Sequence, residues 1–132
     1  MMGHYHDLDA IMQELCASYF PQCTEVAISW GRWGGRVRPR SIRFGVYQPH
    51  RQVIRIHPAL DQAFVPRYFV EFIVYHELLH HVIPPIRVNG RYSVHSAVFR
   101  LRERAFPRYA EAIAWRKQNL RRLLGSSRRD HR

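Results

Sequence analysis

Acidic residues are scarce in this 132-residue chain: 10 Asp and Glu stand against 21 Lys and Arg, and Lys117 is the one lysine. The formal charge of +11 at pH 7 argues against cationic partners and toward anionic ones, DNA or RNA among them. Arginine in place of lysine suits bidentate phosphate contact. A solvated basic surface with no cognate polyanion is the competing reading. Cysteine is nearly absent. Cys16 and Cys23 match no common zinc spacing and read as free, partly buried thiols of a reducing compartment. No apolar stretch reaches transmembrane length without charge; the best candidate contains Glu71, His76 and Glu77. The N-terminus shows no basic segment followed by an apolar core, so no signal peptide is expected and the expected location is cytoplasmic. There is no internal repeat.

What is present is a 46% hydrophobic content, which argues for a folded globule rather than a disordered chain. The length predicts one domain over 1–124, followed by a basic disordered tail over 125–132. Leu8, Ile11, Met12, Leu15 and Tyr19 recur at helical spacing over 7–20, with Asp7 as cap and Pro21 as stop. Strands are predicted over 24–30 (Val26, Ile28 and Trp30 on one face), 41–47 (Ile42, Phe44, Val46) and 52–57. A long apolar helix is predicted over 66–82, ended by Pro84-Pro85, then a linker over 84–92. Ser93 caps a helix over 94–105, with His95 in its first turn. Pro107 opens a last helix to Leu124, with Ala110, Ile113, Ala114, Leu120 and Leu124 on its apolar side. The order is α+β: a small, mostly antiparallel three-stranded sheet packed on the 66–82 helix, with further helices.

That helix carries His76-Glu77-Leu78-Leu79-His80, an H-E-x-x-H motif. Residues four apart share a helix face, so both imidazoles reach one ion while Glu77 sits beside them. Zinc hydrolases use this arrangement: two ligands, and a carboxylate that takes a proton from water on the metal. A third ligand must come from downstream, and His95 is the candidate; Glu103 is a lesser alternative. His81 points about 100° from His80 and cannot face the same ion. Glu71 or Glu103 could accept the spare N–H of a ligand imidazole. Tyr92 or His81 could donate to an oxyanion. His4, His6, His50, His57 and His131 lack ligand spacing. The bland alternative is a structural helix with hydrogen-bonded core histidines.

With His95-Ser96-Ala97-Val98-Phe99 (H-x-x-x-F) following H-E-L-L-H-H at 76–81 and a pair of strand-like segments before them, residues 41–120 resemble the SprT-like (Spartan-type) zinc metalloprotease domain, and also the WLM-type metallopeptidases. The resemblance implies a zincin-like fold, Zn²⁺ held by His76, His80 and His95, Glu77 as catalytic acid/base, and Phe99 as a core residue fixing the second helix. It implies a protein or peptide substrate. The family's downstream four-Cys zinc ribbon has no counterpart here. Two basic regions add a nucleic-acid expectation. Arg32, Arg36, Arg38, Arg40 and Arg43 surround Trp30 and Trp33, and Arg116, Lys117, Arg121, Arg122, Arg128, Arg129 and Arg132 mark the C-terminal third. Three functions follow: a zinc endopeptidase acting on nucleic-acid-associated proteins, a nucleic-acid-binding protein whose zinc is structural, or a zinc hydrolase acting on a non-peptide bond. An open fourth coordination position separates the first from the second.

Overall fold

A computed structural model describes residues 3–21, 25–33 and 42–125. Helix α1, Leu8–Tyr19, starts where the Asp7 carboxylate accepts from the N–H groups of Asp9 and Ala10. Its Leu8, Ile11, Met12 and Leu15 are buried, one stripe of a 3.6-residue period. The Arg67 guanidinium bonds Glu14 at 2.8 Å and ties this helix to the next.

Three strands follow: β1 Ala27–Trp30, β2 Gly45–Gln48 and β3 Val53–Ile56. The order is β1-β3-β2, with β1 parallel to β3 and β2 antiparallel to it. The sheet is therefore mixed, not mostly antiparallel. Residues 49–52 fold β2 back on β3 as a hairpin, with Gln52 at φ 52°. The last strand then slots between the first two, beside β1 in the same direction. Burial records that placement: Ile54 and Ile56 on the central strand are fully buried, whereas every residue of β2 is only half-buried. Both outer strands are shorter than their apolar alternation predicts: Val26 and Phe44 are buried but lie just ahead of the paired segments.

Helix α2, Arg67–Val82, spans the core. It buries Phe69, Val70, Phe72, Ile73, Val74, Tyr75, Leu78 and Leu79, nearly all the way round, which is why its sequence is almost continuously apolar. It ends at Ile83, ahead of the proline pair. The segment expected as linker holds a two-stranded hairpin, β4 Ile86–Val88 and β5 Arg91–Ser93. Asn89 and Gly90 sit at its tip with φ 53° and 78°, the left-handed pair that a tight hairpin turn requires.

Helix α3 is Ala97–Arg104. Its cap is Ser96, whose hydroxyl accepts from the Phe99 N–H at 3.3 Å, and not Ser93. His95 therefore stands just ahead of the helix instead of in its first turn. Helix α4, Tyr109–Gly125, buries Ala112 and Leu123. Of the apolar side expected from the sequence, Leu120 is exposed and Ile113 is partly buried against the core. The buried face is set by Trp115, whose ring packs on Phe69 at 4.6 Å between centroids. Apart from Gly125, the expected tail over 125–132 lies outside the described residues, as do Cys23 and the arginines at 36, 38 and 40. Among the described residues no helix is long and apolar enough to cross a membrane.

Candidate metal centre

Helical spacing puts His76 and His80 on one face of α2, with their Nε2 atoms 3.2 Å apart. The chain then passes through the β4–β5 hairpin and returns, so that His95 brings its Nε2 to 3.2 Å from that of His80. One nitrogen from each of the three rings lies within 4.8 Å of the others. Phe99 is fully buried beneath them, its ring 4.5 Å from that of His80, 5.0 Å from that of His95 and 5.1 Å from that of His76. The H-x-x-x-F spacing thus places the floor of the cluster one helical turn after the residue that closes it.

The donor set fits a divalent transition metal. Nitrogens bound tetrahedrally at about 2.0–2.1 Å stand roughly 3.3 Å apart, close to the spacings found here. The His76 ring is oriented for it: its Nδ1–H donates to the Glu103 carboxylate, which leaves the Nε2 lone pair facing the other two histidines. Hydrogen bonding alone serves the three nitrogens poorly, because one His80 Nε2 would have to satisfy two neighbouring rings at once. Burial and the His76 and His95 rings hold the His80 imidazole down to about 4 from its ordinary 6.5. Burial and His76 also lower His95. Both rings are thereby kept in the neutral form that a metal ligand needs. Glu103 is held below the usual carboxylate range by its bond to His76, against the opposing effect of its burial.

Glu77 is buried, with 6% exposure. Desolvation raises its carboxyl pKa, opposed by His76, by Arg43 and by the Tyr47 N–H. Its position depends on Gly45 in β2. A Cβ there would stand 2.9 Å from Glu77 Cγ and 3.1 Å from its Oε2. Sequence reasoning passed over Gly45, whose lack of a side chain gives the carboxyl its space. The signal available was a glycine inside the strand expected over 41–47, in an otherwise β-branched and aromatic stretch.

The other candidates separate clearly. His81 turns away from the cluster: its Nε2–H donates to Glu25 at 2.7 Å, and its Nδ1 accepts from the Tyr47 hydroxyl at 2.5 Å. Glu71 pairs with Arg67 at 3.6 Å and does not meet a ligand imidazole. Tyr92 is 71% exposed on β5 with the Arg87 guanidinium over its ring, outside the residues lining the cleft. His57 accepts from the Ala59 N–H, and His6 bonds the Val65 carbonyl.

His76, Glu77, His80, His95 and Glu103 all line one cleft of about 690 Å³, walled by the segment leading into β2, by α2 and by α4. Among the described residues the ligand group has these three histidines and no fourth side chain. No family model, curated protein or solved structure matches the chain.

Proposed function

We propose that this protein is a zinc-dependent endopeptidase of the SprT-like type, with a zincin-like arrangement of sheet and motif helix. The observation that carries the reading is the convergence of three imidazole nitrogens beside a buried carboxyl in an open cleft. His76, His80 and His95 would hold the ion, with Glu103 fixing the His76 ring. Zinc, when bound, supplies Lewis acidity that makes water ionise near neutral pH and polarises a carbonyl. Glu77 is the proton carrier. Its desolvated carboxyl has a raised pKa, which suits it to take a proton during attack on the amide and to return it to the leaving nitrogen. The Tyr47 N–H orients that carboxyl from β2. Among the described residues strand β2 is an outer strand of the sheet and lines the cleft, so an extended peptide laid along it would bring the scissile amide near the histidines.

Glu77→Gln tests this directly. The variant should fold and keep one metal per chain by elemental analysis, while cleavage of an unfolded protein substrate disappears. Undiminished cleavage by purified Glu77→Gln protein would remove the mechanism.

The net charge and the Arg87–Tyr92 stack favour a further role, contact with DNA or RNA. The alternative to a peptidase is a nucleic-acid-binding protein with structural zinc. The absence of a fourth ligand side chain among the described residues weighs against that closed site. Titration with labelled single- and double-stranded oligonucleotides at two salt concentrations measures the contact, whose affinity should fall with salt.

A further inference from the structure

The cleft around the three histidines carries two cations that form no ion pair among the described residues. Arg43, just ahead of β2, and Arg116, on α4, both line it, and both are exposed. Ion pairs among the described residues join Arg67 to Glu14 and Glu71, His76 to Glu103, His81 to Glu25, and Arg108 to Glu111. Arg43 and Arg116 belong to none of them. The cleft's own carboxyls are already engaged. Glu103 accepts from His76, and Glu77 is buried against Gly45 and bonded by the Tyr47 N–H. The field of each arginine still reaches the centre, Arg43 acting on Glu77 and His80, and Arg116 on Glu103. Apart from its titratable groups the lining is largely apolar and includes Ile42, Phe44, Val94 and Leu120.

We propose that this cleft selects polypeptide segments that carry acidic residues flanking an apolar stretch, with Arg43 holding a carboxylate on the β2 side and Arg116 one on the α4 side. The inference rests on the peptidase reading and names the substrate class of that site. Two separate guanidiniums, neither in an ion pair among the described residues, suit side-chain carboxylates spaced along a peptide. A nucleic-acid strand carries a charge at every nucleotide and calls for a continuous basic track with stacking surfaces. Each charge-assisted contact discriminates Glu from its neutral isostere Gln, and screening by salt weakens that discrimination.

The test separates binding from turnover. Fluorescein-labelled peptides with an apolar centre, flanked by Glu, Gln or Lys, are titrated by anisotropy against zinc-loaded Glu77→Gln protein. The Glu peptide should bind about tenfold more tightly than the Gln peptide, a difference of ~1.4 kcal/mol. That preference should shrink with added salt and vanish in Arg43→Gln/Arg116→Gln. Both positions are exposed, and circular dichroism checks the fold. Arg43→Glu should shift preference toward the Lys peptide, while Arg104→Gln, exposed and outside the cleft, should leave it unchanged. Equal binding of Glu and Gln peptides, or a preference that survives loss of both arginines, overturns the proposal. So does displacement of the peptides by a single-stranded oligonucleotide that binds more tightly and depends on the same two arginines. Acidic-peptide binding without cleavage by the wild type would overturn the peptidase reading and leave the cleft's preference standing. Cleavage indifferent to flanking charge would do the reverse.

Discussion

Gly45 on strand β2 and Glu77 on helix α2 are in such close register that a β-carbon on the strand would lie 2.9 Å from the glutamate Cγ. The same β-carbon would also meet Ile73 Cγ2 at 2.9 Å. Two neighbours would have to give way, one of them a half-engaged carboxyl and the other a core methyl. Gly45→Ala should therefore destabilise the protein by ~1–3 kcal/mol, the usual cost of overpacking. It should also displace Glu77 while leaving the three histidines in place. The expected result is a lower melting temperature, one metal per chain, and cleavage reduced well beyond what the loss of folded protein accounts for. Wild-type melting in Gly45→Ala would show that strand and helix separate more easily than their packing implies.

Acid should weaken both the fold and metal retention through His80. Its imidazole is lowered from 6.5 to about 4, chiefly by burial and then by His76 and His95. In the unfolded chain it takes a proton near 6.5, but in the folded protein only near 4. Between those values the unfolded state binds more protons, so the stability present above 6.5 is lost as pH falls toward about 4. His6 and His57, both lowered by burial, act in the same direction. Melting of the metal-free protein as a function of pH should show this decline, and His80→Asn should flatten the part that His80 contributes. Metal release should follow the same acid side, because ligation requires neutral rings. A melting temperature independent of pH across that window, or an identical profile in His80→Asn, would contradict the account.

Glu103 is the residue that turns His76 toward the other two rings. Its α3 helix is held against α2 by the Tyr75 hydroxyl, which donates to the Arg102 carbonyl at 2.6 Å. Removing the carboxylate's charge keeps its shape but weakens its hold on Nδ1. Glu103→Gln should lower zinc affinity about 10–100-fold, as loss of a hydrogen-bonded carboxylate behind a ligand histidine does elsewhere. Competition with a chromophoric chelator measures this. Unchanged affinity would make Glu103 an ordinary half-buried charge.

The chemistry of the cluster was more legible in the sequence than the architecture that presents it. Spacing along one helix places His76 and His80 on a shared face with no tertiary information, and the geometry brings their nitrogens to 3.2 Å. His95 needed the intervening chain to return, and the device that returns it is the β4–β5 hairpin. Its signal, Asn89-Gly90 between two short alternating segments, was present but lay among prolines and arginines that read as linker. Sheet direction left no local mark. Alternation assigns the faces of β1, β2 and β3, but not which strand lies in the middle. That β3 is central is set by its pairing with both neighbours, and the complete burial of Ile54 and Ile56 follows from it. Gly45 escaped for a related reason: it matters only through its approach to Glu77 and Ile73, far away in the chain. Glu103 was one of two carboxylates that the sequence offered as partner of a ligand imidazole, and only the tertiary contact with His76 selects it over Glu71.

The adjacent pair His80-His81 offers the sharpest separation of ligand from neighbour. His80 faces His76 and His95, whereas His81 is taken by Tyr47 on one side and Glu25 on the other. This Tyr47–His81–Glu25 chain joins β2 to the end of α2 and to the segment before β1. Its side-chain exposure of 14% makes His81 the desolvated middle member. Tyr47→Phe should leave His81 Nδ1 without its donor and cost ~1 kcal/mol, with the metal retained. His81→Gln should likewise keep one zinc per chain, while His80→Gln should lose it. The comparison needs only elemental analysis and thermal melting on three purified variants. Loss of zinc in His81→Gln with retention in His80→Gln would reverse the assignment of the two rings. Loss in both, with the fold intact by circular dichroism, would mean that the hold of His81 on β2 is needed to keep the centre assembled.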